Sequence, residues 1–257
     1  MTQMPVELLL TIYVLVFLYG IVIGSFLNVC MIRIPKKESI VTKGSHCVKC
    51  NYRLKWYDLI PLFSYLILRG KCRNCGEKIS PQYPVVEFIN GIVYVIIFLI
   101  KGQNIESLLI CLLFSCLLTL SVIDFKTFEI PVGFNIFIAV LGVIRIITDF
   151  ENIFDYLIGA LCVSLFLLIL YAASKGRAIG GGDIKLMAAA GLFLGWKNII
   201  LAFMLGCVLG ACIHVIRMKV SKEGRVLAMG PYLSLGIFIS ALFGNEIITG
   251  YLALFSL

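Results

Sequence analysis

Apolar residues dominate eight stretches of the chain, and most charged residues lie between them. The stretches cover residues 8–30, 84–100, 107–123, 131–148, 153–173, 184–196, 198–216 and 231–255. About 20 residues of α-helix cross a hydrocarbon core of ~30 Å, so most of these runs have the length of a transmembrane helix. The run at 184–196 is shorter, which predicts a short, tilted or partly unwound span. We therefore expect an all-α polytopic membrane protein with about eight transmembrane helices.

The overall composition agrees with this pattern and excludes an ordinary soluble domain. Hydrophobic residues occupy 61% of the 257 positions, whereas charged residues occupy 14%. The first run lacks a basic leading segment and a convincing cleavage site, so we interpret it as a retained helix rather than a secretory signal. The net charge of +8 does not indicate nucleic acid as a partner, because the basic residues are confined to particular loops. The expected partner is the lipid bilayer.

The distribution of these basic residues predicts the orientation in the membrane. Nineteen of the 22 lysines and arginines lie in segment 31–83 and in the connections that follow the third, fifth and seventh runs. The opposite connections hold only Lys101 and Lys197, and Arg145 lies inside the fourth run. By the positive-inside rule, the amino terminus is outside and the basic loops are cytoplasmic.

Segment 31–83 is the only connection long enough to form a domain, and it contains two Cys-x2-Cys pairs. Their members are Cys47, Cys50, Cys72 and Cys75. Four thiolates at this spacing are typical of a structural, tetrahedral zinc site that has no open position for a catalytic water. Disulfide pairing is the alternative, although the cytosol is reducing, and the adjacent His46 is a candidate substitute ligand. We expect a cytoplasmic zinc-ribbon-like domain at 31–83, between a first helix at 1–30 and a seven-helix membrane domain at 84–257.

Two aspartates are candidates for chemistry, because both fall at predicted cytoplasmic helix ends. Asp124 lies at the end of the third run, and Asp183 follows three consecutive glycines at the start of the sixth. Each has an ordinary interpretation: Asp124 as a solvated boundary residue and Asp183 as a helix N-cap. However, acidic side chains at membrane depth are costly and usually functional. The three glycines also exceed what a cap needs, and they leave room for the backbone of a bound peptide.

Paired carboxyl groups predict a reaction class. Two close carboxyl groups share a proton, so that one acts as a base and the other as an acid. The base can activate water while the acid donates to a peptide carbonyl, as in aspartic proteases. His46 and His214 are the only histidines, and neither lies in a recognisable nucleophile motif. Two other classes stay open: an ion or proton-coupled transporter with a zinc-binding regulatory loop, and a membrane scaffold.

With its motifs in this order, the sequence resembles the type IV prepilin peptidases, the bifunctional leader peptidase and N-methyltransferase enzymes of bacterial inner membranes. The matching motifs cover nearly the whole chain: GSFLNVCMIRIP, both Cys-x2-Cys pairs, DLIPLFSYLILRGKCRNC, ISPQYPVVEF, the aspartate and IP at 124–131, GGGDIK and MGPYLSLG. The glycine-aspartate stretch also fits the G-x-G-D signature of intramembrane aspartyl proteases. Two positions depart from the usual pattern: Val132, where relatives commonly have an acid, and Met229, where they commonly have phenylalanine.

The resemblance implies that Asp124 and Asp183 are the catalytic pair. Four further residues belong to the implied active-site loop: Gly180, Gly181, Gly182 and Lys185. It implies cleavage of type IV prepilins or pseudopilins after a glycine, at the cytoplasmic face of the inner membrane. Glu129 is a rival acid, which we rank below Asp124 because the family pattern places the catalytic residue at Asp124.

The resemblance also implies a second activity, methylation of the new amino terminus with S-adenosylmethionine. Glu87 matches a position associated with that activity, and its physical alternative is an acid that snorkels near a helix end. No glycine-rich nucleotide motif follows a predicted strand, so the sequence does not locate the S-adenosylmethionine site. It also leaves the oligomeric state open.

Overall fold

The computed structural model describes residues 5–177, 179–221 and 227–254. Within these ranges the α-helices are α1 (Val6–Arg33), α2 (Phe63–Ile67), α3 (Gln82–Lys101), α4 (Ile105–Thr127), α5 (Val132–Thr148), α6 (Ile153–Ala173), α7 (Gly181–Leu194), α8 (Trp196–Ser221) and α9 (Gly230–Ala253). Short 3₁₀ helices at Trp56–Leu59 and Phe150–Asn152 precede α2 and α6. The described residues form no β-strand, only two isolated bridges. The predicted all-α fold is confirmed.

All eight predicted apolar runs form helices, but they differ in length. Among the described residues, six helices are long and apolar enough to cross a membrane: α1, α3, α4, α6, α8 and α9. α5 has 17 residues and α7 has 14. At 1.5 Å per residue, α7 is about 21 Å long, which is less than the thickness of a hydrocarbon core. The sixth run therefore forms a short helix, as expected, and its crossing of the membrane stays a prediction.

Prolines and glycines mark several helix boundaries. α1, α3 and α5 each begin directly after a proline: Pro5, Pro81 and Pro131. Proline suits this position because the first helical N–H groups have no partner within the helix. α7 ends at Leu194 and is capped by Gly195, whose φ of +78° lies in the left-handed region that favours glycine. The chain then enters α8 directly at Trp196.

The chain divides into two compact units, Met1–Ser107 and Leu108–Leu257. The first contains α1, the cysteine-rich connection, α2 and α3, and the second contains most of α4 and all of α5 to α9. The predicted three-part division at residues 30 and 83 is a different partition and stays a prediction. Lys222 and Arg225, which contribute to the predicted orientation, lie outside the described residues.

In the first unit, small residues bring α1 and α3 into close contact. A side-chain carbon added to Gly20 or Gly24 would lie 2.7 Å from the backbone of Gly91 or Glu87, respectively. The side-chain amide of Asn90, which is fully buried, donates to the Gly20 carbonyl at 2.8 Å. Small residues and polar contacts of this kind hold helices together in lipid, where apolar side chains gain little from leaving the solvent.

In the second unit, the short helix α7 lies among α5, α6, α8 and α9. Its Leu186, Met187 and Ala190 are fully buried. Gly191 faces Gly159 of α6 so closely that a side chain at either position would overlap the backbone of the other helix. Because neighbours enclose it, the amino terminus of α7 has a defined position in the unit.

Candidate active site and metal centre

Asp124 lies in the last turn of α4 and is 4% exposed. Its Oδ2 accepts a hydrogen bond from the backbone N–H of Gly230, the first residue of α9, at 2.9 Å. The alternative interpretation as a solvated boundary residue is therefore wrong. Glu129, the rival acid, lies exposed in the connection between α4 and α5. The structure thus places Asp124, and not Glu129, inside the helical unit.

Asp183 is the third residue of α7, in the first helical turn. Gly180 is the N-cap residue, so the interpretation of Asp183 as the N-cap is wrong. The Asp183 carboxylate nevertheless accepts a hydrogen bond from the N–H of Gly180, as acidic residues at the third helical position do in a capping box. Asp183 is half-buried, in contrast to the exposed Gly180.

The three consecutive glycines have different surroundings. A side-chain carbon at Gly180 would lie 3.0 Å from the Asp183 carboxylate, and one at Gly182 would lie 3.0 Å from the Ile130 side chain. At Gly181 it would meet nothing within 4 Å. Gly182 thus lets the start of α7 contact Ile130, six residues after Asp124, and Gly181 borders open space.

The two carboxyl groups are close enough to interact. Gly182 contacts the connection that leaves α4, and the carboxylate of Asp124 acts electrostatically on Asp183. The carboxyl end of α4 and the amino ends of α7 and α9 therefore meet at one end of the second unit. The predicted partners, separated by 58 intervening residues in the sequence, share one site. This arrangement is suited to acid–base chemistry by two carboxyl groups.

Gly230 is the residue that the sequence interpretation missed. A side-chain carbon at this position would lie 2.6 Å from Oδ2 of Asp124 and 2.9 Å from its Cγ, so the contact requires glycine. The available signal was the motif MGPYLSLG, in which Gly230 precedes Pro231. Lys185, assigned to the site by resemblance, is exposed in the second turn of α7, and its role stays a prediction.

In the first unit, the four predicted cysteines form one cluster. The sulphurs of Cys47, Cys50, Cys72 and Cys75 all lie within 4.8 Å of one another. Two of the separations are 3.8 Å, between Cys47 and Cys75, and 3.9 Å, between Cys50 and Cys72. Two sulphurs bound to one zinc ion at ~2.3 Å in tetrahedral geometry are ~3.8 Å apart. The cluster can therefore hold a tetrahedral metal ion.

The two cysteine pairs occupy similar turns. The N–H of Cys47 donates to the carbonyl of Tyr52, and that of Cys72 donates to the carbonyl of Glu77. A residue with positive φ follows each pair, Asn51 in the first turn and Gly76 in the second. Both turns are closed by an isolated antiparallel bridge. The side chains of Lys49 and Glu77 form an ion pair between the two turns.

The electrostatics of the cluster favour a bound cation. The backbone N–H groups of Cys50 and Lys49 lower the pKa of the Cys47 thiol. The N–H of Glu77 favours the Cys75 thiolate, but burial and the neighbouring sulphurs raise the pKa of Cys75 to about 12. Four thiolates cannot coexist without a positive charge between them, and a divalent metal supplies that charge.

The alternatives for the cysteine-rich segment lose support. All ten cysteines, each within the described residues, are free thiols, and the contacts of 3.8 and 3.9 Å are far longer than the ~2.05 Å of a disulfide bond. His46 is outside the metal-ligand cluster, and its Nδ1 lies 3.2 Å from the carbonyl oxygen of Gly44.

Glu87 is buried, so the alternative interpretation of this residue as an acid that snorkels near a helix end is wrong. Glu87 lies in the second turn of α3 and is only 6% exposed. Oε2 accepts a hydrogen bond from the N–H of Leu62 at 2.8 Å, and the carboxylate also interacts with the Ser25 side chain. Glu87 therefore connects α1, α3 and the turn before α2. Its association with methyl transfer stays a prediction.

Comparison with known proteins assigns both units. Residues 18–100 match the model described as the bacterial Peptidase A24 N-terminal domain, and residues 111–215 match the type IV leader peptidase family. No solved structure matches the chain.

Several similar curated proteins are named prepilin leader peptidase/N-methyltransferase. The relative from Bacillus subtilis (strain 168) is 31% identical over 242 residues, which cover 93% of this chain and 97% of the relative. The relative from Aeromonas hydrophila is 30% identical, with 94% of each chain covered. The relative from Vibrio cholerae is 31% identical, with 89% of this chain and 96% of the relative covered.

Proposed function

Because the chain belongs to the type IV leader peptidase family, we propose that it is a membrane aspartic endopeptidase that removes the leader peptide of type IV prepilins or pseudopilins. It also transfers a methyl group to the amino terminus that cleavage exposes, as the relatives' names indicate. The ion-transport and scaffold alternatives receive no support from the comparisons.

Asp124 and Asp183 are the catalytic pair in this proposal. One carboxylate removes a proton from a water molecule, whose oxygen attacks the carbonyl carbon of the scissile peptide. The other carboxyl group, in its protonated form, donates its proton to the carbonyl oxygen. When the tetrahedral intermediate collapses, the carboxyl group that took the proton of water gives it to the leaving nitrogen, the other carboxylate takes a proton back from a hydroxyl of the intermediate, and the C–N bond breaks as the C=O bond re-forms. No covalent bond to the enzyme forms, which agrees with the lack of a nucleophile–histidine motif.

The observation that carries the proposal is the convergence of two acids from separate helices at one end of the second unit. Asp124 is buried and held by Gly230, and Asp183 is half-buried behind a glycine-rich loop. A carboxylate without a chemical role has no reason to be placed beside another in an apolar unit, because their repulsion and desolvation both oppose folding. Gly181, which borders open space, lies where a substrate backbone can approach.

The decisive experiment incubates the purified full chain with a prepilin that carries a basic leader. Asp124→Asn and Asp183→Asn are each expected to reduce cleavage to background, because an amide neither accepts the proton of water nor donates as an acid. Glu129→Gln is the matched control, because Glu129 is an exposed acid in the connection after α4. This variant is expected to cleave the prepilin normally. Cleavage that survives both aspartate substitutions would contradict the proposal.

The methyltransferase activity requires its own measurement. S-adenosylmethionine supplies the methyl group in this proposal. Mass spectrometry of the processed pilin is expected to reveal one added methyl group when S-adenosylmethionine is present. Glu87→Gln is expected to reduce methylation more than cleavage. An equal loss of both activities would instead indicate a structural role for Glu87.

We propose that the four-cysteine cluster holds one structural zinc ion, with Cys47, Cys50, Cys72 and Cys75 as ligands. The separations of about 3.8 Å and the complete set of four sulphurs support zinc with no open position for water. The proposed location is the bacterial inner membrane, with the amino terminus outside. Cleavage then occurs at the cytoplasmic face, in agreement with the distribution of basic residues.

A further inference from the structure

Residues 56–68 are apolar, and yet many of their side chains are exposed. We refer to them as the apolar segment. Its sequence, WYDLIPLFSYLIL, contains one charged residue, Asp58, which is buried and accepts a bond from Arg73 at 2.8 Å. Six large apolar side chains are between 40% and 78% exposed: Trp56, Leu59, Ile60, Phe63, Leu66 and Ile67. A stretch of 10–14 apolar residues is too short to span a bilayer and is typical of an interfacial or re-entrant segment.

The exposed side chains of α2 share one face. Phe63, Leu66 and Ile67 stand at positions i, i+3 and i+4, which project from the same side of a helix. Their exposed fractions are 55%, 70% and 75%. This contiguous apolar face is costly in water and requires a cover.

A hydrogen bond fixes the depth of the segment relative to the membrane helices. Leu62, just before α2, donates its N–H to Oε2 of Glu87. Glu87 is the sixth residue of α3, so its Cα lies about 7.5 Å along the helix axis from that of Gln82. Leu62 therefore lies at the level of the first two turns of α3, a helix that has the length of one bilayer crossing. The apolar segment is therefore held near the membrane boundary.

The charges around the segment suit an anionic lipid surface. Lys55 precedes it, and Arg69 and Lys71 follow it, all three exposed. Basic residues that flank an apolar stretch inserted into a membrane favour contact with anionic headgroups. The aromatic ring of a tryptophan favours the boundary between headgroups and acyl chains. Both ends of this connection continue into membrane helices, α1 and α3, so the segment is tied to the bilayer that these helices cross.

We propose that the apolar segment inserts into the headgroup–acyl boundary of the leaflet that holds the carboxyl end of α1 and the amino end of α3. The cysteine-rich domain is then docked on lipid through Trp56 and the exposed face of α2. The occupant of this surface is the anionic bilayer. The proposal is independent of the catalytic assignment.

The two tryptophans of the chain allow a direct test. Trp196→Phe leaves Trp56 as the only tryptophan in the full-length protein. This variant is reconstituted into vesicles of phosphatidylcholine and phosphatidylglycerol, with or without bromine atoms at the 6,7 positions of the acyl chains. We expect brominated lipid to reduce Trp56 emission at least twofold, and aqueous iodide to quench it weakly.

Substitutions in the single-tryptophan background identify the contact. Ile67→Asp places a charge on the exposed face of α2 and is expected to reduce quenching by brominated lipid and to increase quenching by iodide. Val41→Asp is the matched control, because Val41 is 86% exposed in the same domain but lies outside the apolar segment. It is expected to leave both quenching values unchanged.

Three results would overturn the proposal. Strong iodide quenching without an effect of brominated lipid would place Trp56 in water. Protection from both quenchers would indicate that protein, such as a second copy of the chain, covers the segment. Equal effects of Ile67→Asp and Val41→Asp would indicate that any added charge releases the domain. Because fluorescence is measured without substrate, the outcome does not depend on whether the chain cleaves prepilins.

Discussion

The contact between Gly230 and Asp124 predicts that one added methyl group disables the proposed peptidase. In Gly230→Ala the new carbon would lie 2.6 Å from Oδ2 of Asp124, whereas ordinary contact begins at 3.4 Å. The carboxylate must therefore retreat by about 0.8 Å, and it loses the geometry of its 2.9 Å bond to the Gly230 N–H. A displacement of ~1 Å at a reacting group costs about a hundredfold in rate. A hundredfold loss in kcat/KM corresponds to about 2.7 kcal/mol of lost transition-state stabilisation.

The assay is the rate of leader cleavage by the purified variant with a prepilin substrate. Gly250→Ala is the matched control, because Gly250 lies on the same helix and an added carbon there meets nothing within 4 Å. This control is expected to cleave normally and to be slightly more stable, since alanine is the better helix former by roughly 1 kcal/mol.

A double variant separates the loss of alignment from general destabilisation. Asp124→Asn alone is expected to reduce cleavage to background, so adding Gly230→Ala is expected to have no further effect on the rate. Full activity of Gly230→Ala would refute the reasoning, because it would mean that the position of the Asp124 carboxylate is not critical. An equal loss in Gly250→Ala would also refute it.

Three further predictions concern the first unit. Elemental analysis is expected to find one zinc ion per chain, and a metal-free wild-type protein would contradict the assignment. Cys72→Ser is expected to lose most of the zinc and to make segment 31–83 sensitive to proteolysis. Cys30→Ser is the control and is expected to retain the metal, because Cys30 lies outside the cluster. Arg73→Gln removes the charged partner of the buried Asp58 and is expected to lower the melting temperature more than Lys71→Gln, whose lysine is exposed; equal shifts would argue against the pair. Gly20→Ala places a carbon 2.7 Å from the Gly91 backbone and is expected to lower the melting temperature by disturbing the α1–α3 contact. Gly133→Ala is the control, because the added carbon meets open space there, whereas Gly102 is unsuitable because its φ is +82°. Unchanged melting of Gly20→Ala would contradict the close packing.

The predictable part of the fold follows from the bilayer. Because the hydrocarbon core sets the length of an apolar helix, eight apolar runs were sufficient to predict eight helices, including the short helix α7. The four cysteines were predictable for a similar reason, since the spacing of two Cys-x2-Cys pairs reflects the geometry of one tetrahedral ion. Both predictions depend on local sequence and on a simple external constraint.

The candidate site was only partly predictable. Asp124 and Asp183 were paired because the orientation argument places both at the same side of the membrane. Their surroundings depend on packing between distant segments, and no local pattern encodes that packing. Gly230 was therefore missed as a contact of Asp124, and the N-cap alternative for Asp183 was wrong because α7 begins two residues earlier. The exposed face of α2 was missed because a five-residue helix has no recognisable period.

The dependence of Asp124 on Gly230 has a consequence for biosynthesis. The two residues are 106 positions apart, and Gly230 is the first residue of α9. A nascent chain that has inserted α1 to α8 already carries both acids, but it lacks the backbone amide that orients the first of them. Under the proposed assignment, proteolytic competence thus arises only after Gly230 has been added and α9 has packed against α4, so a product truncated before Gly230 would be inert rather than an unregulated protease.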